Sequence, residues 1–292
     1  MSNRPSNTKG NAKDRSGGRS ASTARAAGRS NPTVWIIAGV VVVIGLAAVV
    51  ALVVSGGKKS NDAGTAVPSD PATLVSTISG VSTDTINAVG SGGVTALPKP
   101  IDAPDLKADG KPLVLYVGAE YCPYCAAERW GMVQALSRFG TFTGLTFTHS
   151  TPNDVFPNTP TLTFHGSTYT SSLISFQGVE TQTNDGTALD TPTADQQALL
   201  TAYNPKGSIP WINFGGQYVI SGASYSPGTL AGKSAEEVTA ALSYPGEAIT
   251  KGIVGTANMM TATICILTGD QPGSVCSEPA VQAFEAQIKA QS

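Results

Sequence analysis

The sequence predicts an α/β fold carried on a single N-terminal membrane-spanning helix. An apolar run, Leu113 to Val117, reads as a buried central strand, and Cys122-Pro123-Tyr124-Cys125 follows it at the head of a helix-like stretch from Ala126 to Phe139. A two-glycine turn, Gly215-Gly216, separates the apolar runs Trp211 to Phe214 and Gln217 to Ile220, which signals a hairpin. Ahead of both, Val34 to Val54 gives 21 consecutive uncharged residues dominated by Val, Ala, Ile and Leu. That length spans a hydrocarbon core of about 30 Å as a helix.

The ends of the chain are charged differently. Before the span, Arg4, Lys9, Lys13, Arg15, Arg19, Arg25 and Arg29 face only Asp14, so residues 1–33 read as a disordered basic tail on the cytoplasmic side by the positive-inside rule. Trp35 anchors one interface, and a cleaved signal peptide is disfavoured because the apolar run is long and no Ala-x-Ala site follows it. Residues 55–68 form a linker and 69–292 an extracytoplasmic domain. From Ser60 onward the chain carries 9 Lys/Arg against 19 Asp/Glu, and this acidic balance argues against nucleic-acid binding. All four cysteines then lie where disulfides persist.

Within the outer part, Ser69-Asp70-Pro71 looks like a helix start, and one short helix is expected before Pro100. Asp109-Gly110 is a turn that leads into the Leu113 to Val117 strand. Ala126, Trp130, Val133 and Leu136 recur at helical spacing and Gly140 ends the helix. Leu145-Thr146-Phe147-Thr148 alternates and is expected as the next strand of the unit. Thr161 to Tyr169 with Leu173, Ile174 and Phe176 suggests an extra hairpin, and Thr193 to Tyr203 is helical in composition. Ser234 and Glu237 form a capping box, a helix covers Glu247 to Leu267, and Ser277 with Val281, Phe284 and Ile288 gives the last one.

Two cysteines at i and i+3 on the first turn of a helix share one side, so their sulfurs can close and reopen a disulfide. Cys122, among unpaired amide N–H groups at the helix start, is the expected nucleophile because the backbone dipole favours a thiolate. Cys125, one turn inward, would resolve a mixed disulfide. A structural disulfide or half of a zinc site are the alternatives, as is copper handling by Cys122, Cys125 and His149. No second closely spaced ligand pair accompanies the motif, so neither a metal nor any other cofactor is expected. Glu120 and Glu128 are candidate proton shuttles for Cys125, or simply solvated and ion-paired. Cys265 and Cys276 bracket a loop of turn formers and read as a structural bridge, with a relay pair as the alternative.

A strand leading into Cys-x-x-Cys at a helix N-terminus, and later Ile209-Pro210 before a hairpin, resembles the thioredoxin superfamily. The run Gly118 to Trp130 is similar to a poorly characterised family of membrane-anchored thioredoxin-like proteins. The resemblance implies a cis-proline at Pro210 beside the cysteines and an extended substrate paired with the backbone of Ile209. Tyr124 and Trp211 are further candidate substrate contacts, with a place in the core or at its rim as the alternative for Trp211 beside Pro210. The separation of 85 residues from Cys125 to Pro210 then implies a thioredoxin-like fold with a large insertion, about 151–206, between the active-site unit and the cis-Pro strand. The Pro-Tyr dipeptide matches glutaredoxins, but their glutathione-site residues are not recognisable. The expected function is thiol-disulfide exchange on protein cysteines, with a membrane or secreted redox partner for recycling. The competing expectations are a non-catalytic binding module with a permanently closed disulfide, or a copper or zinc carrier.

Overall fold

Eight residues, Lys111–Gly118, form the strand around which the described chain is assembled. The structure, a computed structural model, describes residues 63–291. The expected basic tail and the span at 34–54 lie outside the described residues. Among the described residues no helix is long and apolar enough to cross a membrane.

Two helices come first, α1 (Pro71–Ser79) and α2 (Thr83–Val89), where the sequence suggested one. Asp70 caps α1 by accepting from Thr73 N, and Pro71 takes the first turn, where a missing N–H is tolerated. Short strands β1 (Lys99–Pro100) and β2 (Lys107–Ala108) lead to β3 (Lys111–Gly118). The helix α3 (Pro123–Ser137) follows, then β4 (Thr141–Thr143), β5 (Thr146–His149), β6 (Pro160–Thr163), β7 (Thr168–Thr170) and β8 (Ser175–Glu180). The chain continues with α4 (Ala194–Tyr203), the hairpin β9 (Trp211–Phe214) and β10 (Tyr218–Ser221), then α5 (Ala235–Ala241), α6 (Ala248–Thr268), α7 (Gly273–Cys276) and α8 (Pro279–Lys289).

The main sheet runs β1-β10-β9-β3, with β8 also on β3 and β2 pairing its first residues. β8 is parallel to β3, whereas β9 is antiparallel to it. Alternation along β3 assigns its two faces. Val114 and Tyr116 join the larger core with Trp130, Val133, Ile253 and Ala257, while Leu113, Leu115 and Val117 join a smaller core covered by Leu199, Leu200 and Tyr203 of α4. The sheet is therefore sandwiched between α3 and α6 on one side and α4 on the other.

The place beside β3 is the main departure from the sequence expectation. Leu145 to Thr148 was the expected neighbour, yet β5 pairs with β6 in a separate two-stranded sheet, and β4 pairs with β7 in another. A parallel strand inside a sheet needs both faces covered. β8 meets that requirement with Phe176 on the larger core and Val179 in the smaller one, whereas β5 alternates threonines with partly buried residues. Residues 141–170 thus stand off the main sheet, and the stretch from 175 to 203 supplies one of its strands and a covering helix.

The hairpin at Gly215-Gly216 forms as expected, with φ of 63° and 78° at the two glycines. The capping box of Ser234 and Glu237 opens α5, and a second box, Thr193 with Gln196, opens α4. In α6 the side chains are buried nearly all round, which fits a helix enclosed by α3, α2 and α8. Gly131 makes the α3 contact close, since a Cβ there would lie 2.6 Å from Thr256 Cγ2.

Candidate functional site

β3 ends at Gly118, and the turn that follows delivers Cys122 to the N-cap of α3. Its Sγ occupies the position of a capping oxygen and accepts from the backbone N–H of Cys125 at 3.1 Å. Pro123 takes the next position without leaving a donor unused. Cys122 and Cys125 are both free thiols. Cys122 retains 5% of its surface exposed and Cys125 none.

The two thiols are pushed apart in acidity. Hydrogen bonding from the Cys125 side chain pulls the Cys122 thiol below its ordinary value, against opposition from burial and with help from the Cys125 amide and the Arg129 charge. Burial drives Cys125 well upward, and the neighbouring Cys122 adds to that. The outer sulfur is therefore the one that favours the thiolate, and the inner one holds its proton.

The register of β3 with β9 brings the second half of the site to this point. Val117 pairs with Trp211, so the preceding Ile209-Pro210 peptide, which is cis, sits next to the turn leading to Cys122. The Cys122 thiol faces the carbonyl oxygen of Ile209 at 3.9 Å. Tyr124 stands at the rim, 42% exposed, with its ring edge-on to Phe156 at a centroid distance of 6.0 Å. Trp211 is fully buried in the smaller core beside Leu115 and Val117. It supports the proline turn from within and offers no surface to line a groove.

Neither carboxylate singled out as a proton shuttle has a hydrogen bond to the cysteines. Glu128 is fully buried, with its two oxygens accepting from Ser224 N and Ser224 Oγ, both at 2.7 Å. Burial raises its carboxyl to about 7 despite those two donors. The Glu120 backbone N–H donates to Gln182 O at 2.9 Å, which ties that turn to the segment after β8.

The charged groups that act on Cys125 are instead Arg129 and Glu180. Arg129 Nε lies 2.8 Å from Glu180 Oε1, and Arg129 also donates to Tyr116 Oη at 3.1 Å, Ala119 O at 2.7 Å and Leu162 O at 3.0 Å. Burial alone would lower the guanidinium, but Glu180 and Tyr116 raise it, and it stays charged. For Glu180 burial pushes the carboxyl up while Arg129 pulls it down. Gly118 makes room for this cluster, because a Cβ there would fall 2.1 Å from Tyr116 Oη and 3.1 Å from Cys125 Sγ.

Glu180 was not singled out by sequence reasoning. It ends β8 opposite Gly118, so the carboxyl ends of two parallel strands meet at the cysteines. Sites in α/β folds lie at the carboxyl ends of strands, so Glu180 comes into view once β8 is paired with β3.

No group of three or more His, Cys, Asp or Glu side chains with metal-binding arrangement occurs among the described residues. His149, the candidate third copper ligand, has Nδ1 2.9 Å from Ser150 O and Nε2 3.3 Å from Asn184 Nδ2. Cys265 and Cys276 are joined as a disulfide between the end of α6 and α7.

No curated protein matches the chain, and no solved structure does. A family model described as a domain of unknown function (DUF929) matches residues 99–206, a stretch that includes both cysteines, Arg129 and Glu180 and stops short of Pro210.

Proposed function

We propose that this chain is a membrane-anchored, extracytoplasmic thiol-disulfide oxidoreductase that acts on protein cysteines through Cys122 and Cys125, with a thioredoxin-like domain. The observation that carries the reading is the asymmetry of the pair: Cys122 caps a helix with its thiol acidified, and Cys125 is fully buried with its proton held. Supporting it are the parallel β3–β8 pair, the antiparallel β9–β10 hairpin beside it, and a cis Ile209-Pro210 peptide facing the nucleophile. The anchor rests on the apolar run 34–54 and the basic tail before it. The Cys265–Cys276 bridge suits an oxidising compartment.

In the reductive direction, Cys122 thiolate attacks one sulfur of a substrate disulfide, forming a Cys122–substrate bond and expelling the other substrate sulfur as a thiolate. Cys125 then gives up its proton and attacks Cys122 Sγ, which closes the Cys122–Cys125 disulfide and releases the second substrate thiol. The chain loses two electrons and the substrate gains two. Run in reverse, the same steps oxidise a substrate dithiol, and a membrane or secreted partner resets the pair. The half-buried Ile209, whose backbone carbonyl faces Cys122, is where an extended substrate segment would lie.

Titrating the full-length chain against a glutathione redox buffer tests this, with Cys122→Ser as control. A reversible two-electron transition, and trapping of substrate proteins by Cys125→Ser but not by Cys122→Ser, are expected. A pair that stays closed throughout would mark a binding module, and thiols protected only on metal loading would mark a carrier.

A further inference from the structure

Next to Cys122 the molecule holds an uncharged cavity that the exchange chemistry does not itself require. Its volume is about 530 Å³, and its walls come from Val117 at the end of β3, Thr181 after β8, Gln197, Leu200 and Thr201 of α4, Asn204 just after it, and Ile209. Ile209 belongs to both places, since its carbonyl faces Cys122 Sγ while its residue lines the cavity.

Apart from the exposed Gln197 amide, the polar wall side chains are already paired with backbone groups. Asn204 Nδ2 donates to Ser208 O at 2.8 Å and Asn204 Oδ1 accepts from Ser208 N at 3.1 Å. Thr201 Oγ1 donates to Gln197 O, and Thr181 Oγ1 donates to Gly118 O, both at 2.9 Å. With those hydrogen bonds made, the cavity presents mainly carbon and no charge to an occupant. A polar side chain entering it would lose water and find only the exposed Gln197 amide as a partner.

We propose that this cavity receives an apolar side chain of the substrate polypeptide, close in sequence to the cysteine that reacts with Cys122. The inference rests on the thiol-exchange reading and adds a substrate class to it: cysteines flanked by leucine-like residues. An extended chain advances about 3.3 Å per residue. A segment whose cysteine meets Cys122 and whose backbone follows Ile209 therefore brings a neighbouring side chain to Val117 and Leu200 within one or two positions. Leu200 and Thr201 are the residues that set the preference.

The test uses the reduced full-length chain and symmetric disulfides of short peptides, each with one cysteine, in which either residue adjoining the cysteine or the next one out is Leu or Asn. Leu and Asn are similar in shape and both uncharged, so the peptide thiol keeps its acidity. The rate of Cys122–Cys125 disulfide formation is followed by quenching and mass spectrometry. At one of these positions the Leu peptide is expected to react about tenfold faster than the Asn peptide, the selectivity that a small apolar pocket supplies. Thr201→Arg, or separately Gln197→Arg on the same exposed face of α4, should bring that ratio to within about twofold. Equal rates for every Leu and Asn pair in the unaltered chain overturn the proposal and leave the redox site standing, as does a preference that survives both arginine variants. Failure to react with any peptide or with hydroxyethyl disulfide overturns the thiol-exchange reading itself, and this inference with it.

Discussion

Arg129 Nε and Glu180 Oε1 stand 2.8 Å apart with neither side chain reaching solvent, and both act electrostatically on Cys125. A buried ion pair contributes little net stability against apolar residues of the same volume, because desolvation opposes the attraction. Removing one partner is different, since it strands the other charge. Arg129→Met or Glu180→Leu alone is expected to destabilise the domain by about 3–5 kcal/mol, and the double replacement by markedly less than their sum. Urea unfolding of the four proteins measures this, and additive effects would show that the two side chains do not act as a pair.

The acidity of Cys122 depends first on the hydrogen bond that Cys125 donates to it. Cys125→Ser keeps an O–H donor, whereas Cys125→Ala removes it and leaves only backbone N–H groups and the Arg129 charge. The iodoacetamide reactivity of Cys122 should therefore titrate at higher pH in Cys125→Ala than in Cys125→Ser. Coincident midpoints in the two variants would mean that the helix start alone sets the thiolate.

The parts of this architecture that announced themselves in the sequence are those fixed by local chemistry. The β3 run, the Cys122-Pro123 helix start, the Gly215-Gly216 hairpin and the Ser234 capping box each depend on residues a few positions apart. The partner of β3 depends on residues some 60 positions away and on both faces being covered, so the alternation nearest the helix, Leu145 to Thr148, is expected as the neighbour and Phe176 is assigned to an extra hairpin. The same distance hid Glu180. Once β8 is placed beside β3, alternation puts Val114, Tyr116 and Gly118 on one face with Phe176, Gly178 and Glu180, which is the face of Arg129 and Cys125. Glu128 lies one turn beyond Cys125 and looked closer in the chain, but its carboxylate is held by Ser224 from the segment after β10.

Glu128 gives the domain a pH dependence of defined sign. Its folded-state carboxyl is raised from 4.5 to about 7, so the native state binds a proton more tightly than the unfolded chain does. Stability from this group is fully present below the unfolded value and declines as pH rises through the folded one, by about 3 kcal/mol in all. Glu128→Gln keeps an acceptor for Ser224 N and supplies a donor for Ser224 Oγ, which imitates the protonated acid. The loss of stability between pH 5 and pH 8 should be smaller in the variant than in the parent by most of that amount, as read from urea midpoints. An unchanged pH profile would show that this carboxyl is ionised without penalty.

The Cys265–Cys276 bridge closes a short loop, its ends 11 positions apart in sequence, and joins α6 to α7 in the larger core. Constraining a loop of that length in the unfolded chain stabilises the domain by about 3 kcal/mol in the chain-entropy treatment. Replacing both cysteines by serine should lower the unfolding free energy by about that amount, with some addition because both positions are buried. Trapping of substrates by Cys125→Ser should persist in the same background, since the bridge has no contact with the Cys122 thiol. Trapping that disappears while circular dichroism shows an intact fold would assign the bridge to electron transfer and not to structure.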